Sequence, residues 1–380
     1  MELLSDTLRH LERLIGFATV SGAQNAEVNA YVAGVLEAAG ARVAHVPARP
    51  GGLDGVIASV GPDVPGGIGL SGHSDVVPVE GQAWSGDPFA LRREGERLIG
   101  RGTCDMKGFD ACAIALMIAA AGRDLSRPVH LFLSGDEETH LLSAPALIDH
   151  AKAHLPPLRG VVVGEPTLCA PVDRHKASAT LDVVCTGRPM HASLAHRAVS
   201  ATALAARLIT WLEEETTRNA AEAVAGAFDP NFATHTVGVI EGGNAFNIVA
   251  ETCRFTWDVR LMPGQTLEEV QGRLEAYAES LLVPARQIAP EADITVTLRE
   301  WFPGLGGLRQ GAFREEIAAV SGHGDFAVVP YGTEAGMFQE AGFDAVVWGP
   351  GDIAQAHTAD EFIDLAQIET YLGRAQSLLV

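Results

Sequence analysis

Histidines and carboxylates recur in this chain at a few short polar sites, each at or shortly after the end of an apolar or glycine-rich run. They are His73-Ser74-Asp75, Asp105 within GRGTCDMKG, Asp136-Glu137-Glu138, Glu165 within GEPT, and His357 within GPGDIAQAH. Brought together, these carboxylates would repel one another without a cation between them, and carboxylate with imidazole ligands suits zinc, cobalt or manganese. In an H-x-D pair the acid can hydrogen-bond the imidazole and fix its tautomer, as Asp75 would for His73. Each piece alone has a plainer reading. A lone histidine at a strand end is more often a satisfied polar residue than a ligand. Glu137-Glu138 could be the solvated start of a helix, and Glu165 before Pro166 a turn residue. GRGTCDMKG lacks the spacings of a phosphate loop. The specific signal is their joint occurrence in this order.

These sites need a frame that sends several chain segments to one place. Gly67 to Gly72, Pro128 to Ser134 and Gly160 to Val163 are short apolar runs ending in polar residues, as buried strands of a covered sheet do. Met106 to Ala121 and His140 to His154 lie between them and read as helices, and strands alternating with helices predict an α/β layer with a mostly parallel sheet and helices on both faces. Ligands bind such sheets in the crevice outside the carboxyl ends of the strands. Leu3 to Phe17 and Asn25 to Ala39 are further amphipathic helices. After about Arg174 the pattern changes to alternating strands (Ala177 to Cys185, His235 to Ile240, Thr252 to Leu261, Ile294 to Leu298) and two long helices, Ser200 to Arg218 and Thr266 to Leu282. Phe326 to Val329, Ala345 to Trp348 and Asp364 to Leu379 resume the first style. The expected organisation is a catalytic α/β domain, residues 1–175 and 290–380, interrupted by a smaller inserted α+β domain at 176–289.

Composition narrows the class. The 380 residues carry 27 lysines and arginines against 48 acids, a formal charge of −21, which argues against nucleic acid and anionic membranes as partners. Five widely spaced cysteines without a CxxC pair form neither a disulfide framework nor a cysteine zinc site. The N-terminus mixes acids and bases at helical spacing, unlike a signal peptide. The longest apolar stretch, Ala111 to Gly122, is far short of the ~20 residues of a membrane span. A cytoplasmic location is the resulting expectation.

The motifs SGHSDVVP (Ser71 to Pro78), GRGTCDMKG, SGDEET (Ser134 to Thr139), GEPT, NIVAETCRFTWDVRLMPG (Asn247 to Gly264) and AHTADEF (Ala356 to Phe362) together carry a resemblance. The chain resembles, over essentially its whole length, the dinuclear zinc aminoacylase and carboxypeptidase family of acetylornithine deacetylases and succinyl-diaminopimelate desuccinylases. YGTEAGMFQEAG (Tyr331 to Gly342) with WGPGDIAQAH (Trp348 to His357) is most like the acetylornithine-cleaving branch.

The resemblance implies two zinc ions per subunit, replaceable by cobalt, bridged by Asp105 and a water. His73 and Glu165 would complete one site and Glu138 with His357 the other, with Asp75 orienting His73 and Glu137 acting as general base. It implies hydrolysis of N-acetyl-L-ornithine to L-ornithine and acetate, a step of arginine biosynthesis, by a metal-bound hydroxide. Acetylcitrulline, acetyllysine, succinyl-diaminopimelate or a dipeptide are the alternative substrates. His191 would cross a homodimer interface to the partner's site, and Arg260, assisted by Asn247, would grip the substrate carboxylate. Gly332 and Thr333 would shape the pocket, and Glu334 or Asp136 would meet a cationic side chain.

Overall fold

The computed structural model describes residues 2–379. The chain divides into two compact units: one comprises the residues up to Arg174, Leu305–Val328 and those from Thr333 on, the other His175–Gly304 and Val329–Gly332.

The first unit is a mixed α/β layer around a nine-stranded sheet. Its centre is four parallel strands in the order Val129–Ser134, Gly67–His73, Leu158–Pro166, Ala345–Gly349. Gly55–Val60 and Arg42–Val46 extend it antiparallel on one side, and Val172–His175 on the other. The strands Gly67–His73 and Val129–Ser134 are buried at every position, which is why they read as unbroken apolar runs rather than as alternating ones. The helix Lys107–Ala121 packs on both, and the helices Glu2–Ile15 and Leu365–Ala375 pack on it. Lys107 is fully buried there. Its ammonium donates to the carbonyls of Leu14 (3.2 Å) and Phe17 (2.8 Å), fastening the end of the first helix, and burial lowers its pKa to about 8. A small sheet of Arg92–Glu94, Arg97–Ile99 and Phe362–Asp364 brackets the loops that follow Ile99 and precede Phe362.

The second unit is an antiparallel sheet in the order Thr234–Gly242, Thr252–Leu261, Ala177–Thr186, Asp293–Phe302. Its two helices, Ala201–Glu222 and Leu267–Ile288, begin at Ser200 and Thr266, whose hydroxyls accept from the amides of Ala203 (3.2 Å) and Glu269 (3.3 Å). Leu204, Leu208, Leu212 and Leu274 close a core over the alternate inward residues Leu181, Val183, Phe255 and Trp257. This core is separate from that of the first unit.

Three sequence expectations shift. The second unit extends past residue 289 to Gly304, because Asp293–Phe302 pairs along the full length of Ala177–Thr186. The helix expected to stop at Leu282 continues through Pro284 to Ile288. Arg42–Val46 and Gly55–Val60, read as no element from the sequence, form one side of the large sheet. All five cysteines are buried free thiols, Cys104, Cys112 and Cys169 in the first unit and Cys185 and Cys253 in the second.

Candidate metal centre

The carboxyl ends of the parallel strands deliver the polar residues to one place. His73 closes its strand opposite Ser134, Asp136, Glu137 and Glu138 follow Ser134, and Glu165 lies near the end of Leu158–Pro166. Just before Glu165, Gly164 is required: a Cβ there would come within about 2.0 Å of the Phe109 ring, which packs directly over the strand.

His73 Nδ1 has two acceptors beside it, the Asp75 carbonyl at 3.0 Å and Asp75 Oδ1 at 3.4 Å. The proton therefore sits on Nδ1 and leaves Nε2 as a lone-pair donor. That Nε2 lies 3.2 Å from Asp105 Oδ1, 3.8 Å from Glu165 Oε1 and 4.0 Å from Glu137 Oε2. The other oxygen of Asp105 faces the opposite way, 3.2 Å from His357 Nε2, which is also 3.2 Å from Glu138 Oε1. Asp105 thus stands between two donor groups and belongs to both. Asp75 also accepts from the amides of Glu137 (3.1 Å) and Glu138 (3.0 Å), so one carboxylate fixes the imidazole and the turn that carries both glutamates.

The electrostatics fit a cation. Burial raises Glu137 and Glu165 well above the ordinary carboxylate range, and Glu138 above it, with repulsion between the acids adding to each. For His73 burial opposes the charge, yet Asp105, Asp75 and the glutamates outweigh it and hold the pKa well up. Hydrogen bonds to Asp105 and Glu138 push His357 up to about 10. Among the described residues no lysine or arginine pairs with Asp105, Glu137, Glu138 or Glu165. Donor atoms of His73, Asp105 and Glu138 all lie within 4.8 Å of one another. A buried, unneutralised set of two imidazoles and several carboxylates matches hard-to-borderline divalent ions.

The other candidates are distributed differently. Asp136 is used up structurally: it accepts from the amides of Leu53 (3.1 Å), Leu142 (3.1 Å) and Ser143 (2.9 Å), which excludes it as the acid for a substrate amine. Glu334 is buried and accepts from Ser134 Oγ at 2.6 Å, and burial raises its pKa to about 7. Thr333 is buried, its hydroxyl accepting from the Ala335 amide at 3.1 Å. His191, Asn247, Arg260 and Gly332 lie in the second unit. His191 is exposed, with Nδ1 2.8 Å from Ser193 Oγ, and the Asn247 carbonyl accepts from Ala192 at 2.9 Å. Arg260 forks onto Asp258 at 3.0 and 2.9 Å, and at Gly332 a Cβ would approach Phe302 Cβ to 3.0 Å.

Glu361 is a residue the sequence reading passed over. It is 1% exposed and accepts from the amides of Gly102 (3.1 Å), Cys104 (2.9 Å) and Asp105 (3.0 Å), while Arg101 Nη1 donates to its other oxygen at 2.6 Å. It builds the loop that presents Asp105. The available signal was an acid in AHTADEF, four residues beyond a candidate ligand.

Comparison with known proteins places this geometry. Residues 69–379 match the model of peptidase family M20/M25/M40. The chain is 36% identical over 311 residues to an acetylornithine deacetylase of Myxococcus xanthus, covering 81% of this chain and 79% of that protein. It is 33% identical over 304 residues to the acetylornithine deacetylase of Proteus mirabilis, covering 80% and 76%. Among solved structures, an M20-family metallo-carboxypeptidase from Sulfolobus solfataricus has the same fold, with a TM-score of 0.76 at 17% identity over 98% of each chain. A dinuclear metal-binding peptidase of the same family from Bacillus subtilis aligns at a TM-score of 0.68 and 15% identity, over 99% of this chain and 97% of that one.

Proposed function

Since the chain belongs to peptidase family M20/M25/M40 and is a metal-dependent hydrolase of that family, we propose that its reaction is removal of the acetyl group from N-acetyl-L-ornithine, giving L-ornithine and acetate for arginine biosynthesis in the cytoplasm. The observation that carries this reading is Asp105, whose two oxygens face two imidazoles from opposite sides.

His73 and Glu165 would hold one zinc ion, Glu138 and His357 the other, and Asp105 both, with cobalt an adequate substitute. When bound, the ions supply Lewis acidity, lowering the pKa of water and polarising the amide carbonyl. Glu137 is the proton carrier. Its carboxylate is buried, unpaired with any lysine or arginine, and raised in pKa by burial and by Glu138, Glu334 and Asp105, which suits it to take a proton from the attacking water and return it to the departing amine. Asp75 holds His73 in one tautomer and Glu137 at one height.

The second unit supplies the remaining parts in this reading. His191 of the partner subunit donates to the oxyanion, consistent with an exposed ring whose Nδ1 is already taken by Ser193. Arg260 exchanges Asp258 for the substrate carboxylate, with Asn247 beside it, and Gly332 and Thr333 shape the pocket wall. The homodimer contact belongs to this unit, whose edge strand Thr234–Gly242 leaves Val239 and Ile240 exposed, with Phe246 fully exposed just beyond it.

The test is the initial rate of ornithine release by chelator-stripped protein with and without added zinc or cobalt, run beside N-acetyl-L-methionine, N-acetyl-L-citrulline and a dipeptide. Metal-restored turnover fastest on acetylornithine is the expected result. Turnover of the dipeptide alone would overturn the deacetylase assignment. A monomer by sedimentation at micromolar concentration would remove His191 from the mechanism.

A further inference from the structure

His357 sits in the left-handed region, at φ 61°, a backbone state that a β-carbon disfavours and that surrounding contacts must hold. Its carbonyl accepts from Gln82 Nε2 at 2.8 Å. Gln82 belongs to a loop far away in sequence, and its own side-chain oxygen is fixed: it accepts from Trp84 Nε1 at 3.0 Å and from Arg101 Nη2. The Arg101 guanidinium is fully buried, lies 5.1 Å from the Trp84 ring, and donates through Nη1 to Glu361, which in turn holds the Asp105 amide. The same two loops are joined a second time at Asp360, whose carboxylate accepts from Ser85 N (3.1 Å), Ser85 Oγ (3.0 Å) and Arg92 Nη2 (3.0 Å).

We infer that Gln82, Arg101 and Glu361 form one clamp that sets the distance between Asp105 and His357, and that Gln82 is the positioning residue for the ion shared by Asp105, Glu138 and His357. The Gln82 amide is read at both ends, its oxygen by two donors and its nitrogen by the His357 carbonyl, so its orientation is determined and not free to flip. On the His73 side the imidazole is fixed independently, by Asp75. Loss of the Gln82 amide should therefore loosen one metal position and leave the other. This rests on the two-metal reading of the site given above.

The experiment is titration of the chelator-stripped protein with zinc against a competing chelator, with cobalt absorption as a second readout. Wild type, Gln82→Met and Gln82→Glu are compared. Gln82→Met removes every hydrogen bond of the amide at nearly constant volume, whereas Gln82→Glu keeps the acceptor for Arg101 and Trp84 and removes only the donor to His357. Both variants are expected to bind the first equivalent as wild type does and the second about 10- to 100-fold more weakly, with the thermal midpoint of the metal-free protein unchanged because Gln82 lies at the surface. Equal affinity for both equivalents in all three proteins would overturn the clamp, as would equal weakening of both equivalents. A wild type that binds no metal would instead sink the two-metal reading itself, and the clamp with it.

Discussion

At the level of single residues, Glu137 and Glu138 are neighbours with different tasks. Glu138 lies 3.2 Å from His357, whereas Glu137 approaches only His73, at 4.0 Å. Glu137→Gln should therefore keep both metal equivalents and lose activity by several orders of magnitude, and Glu137→Asp should lose somewhat less, because it moves the charge by one methylene. Metal analysis alongside kcat checks this, and loss of metal from Glu137→Gln would make the residue a ligand. Glu334 offers a pH prediction. Its pKa rises from 4.5 to about 7 in the folded chain because of burial. The folded state then holds a proton that the unfolded state releases, so this residue's stabilising contribution is complete below pH 4.5 and is lost as pH rises through 7. Glu334→Gln should flatten the stability profile over that window, as read by urea midpoints at closely spaced pH values. The ligands were legible because their types and order make a joint pattern, although no spacing between adjacent pairs was diagnostic. Gln82, Arg101 and Glu361 were not legible: their work is hydrogen bonding to backbone groups far along the chain, and nothing in residue type announces such a partner.

Among elements, the parallel strands were the easiest to read, since a strand covered on both faces must be apolar throughout. Gly55–Val60 has the same buried character but pairs antiparallel with Val129–Ser134, so no crossover helix separates it from its neighbour in the way that flags a βαβ unit. Element ends were read less well than element centres. Pro284 should have stopped its helix by propensity, yet Leu282 and Ala278 on the same helix are buried in the second core, and packing overrides the local preference. That core gives a prediction of its own. Leu208→Ala, at a fully buried position, should destabilise the second unit by about 2–5 kcal/mol through lost transfer energy and a cavity. Zinc binding should be unchanged, which calorimetry with the variant checks. A fall in metal affinity would show that the two cores are not independent.

For the whole molecule, two cores and a metal centre confined to one of them should produce asymmetric behaviour. His73, Asp105, Glu138, Glu165 and His357 all belong to the first unit. Stripping the metal should lower the unfolding temperature of that unit and leave the second near its original value, because a ligand stabilises only the equilibrium it takes part in. Differential scanning calorimetry before and after chelation would resolve this, and an equal shift of all heat absorption would refute it. The buried thiols supply a finer instrument. Burial raises Cys104, Cys112 and Cys169 in the metal-bearing unit, and Cys185 and Cys253 in the other, so none is a ready thiolate while its surroundings stay closed. Alkylation mapped by mass spectrometry then becomes a two-channel clock, with three cysteines timing the opening of one unit and two timing the other, in the unaltered chain and without an added label.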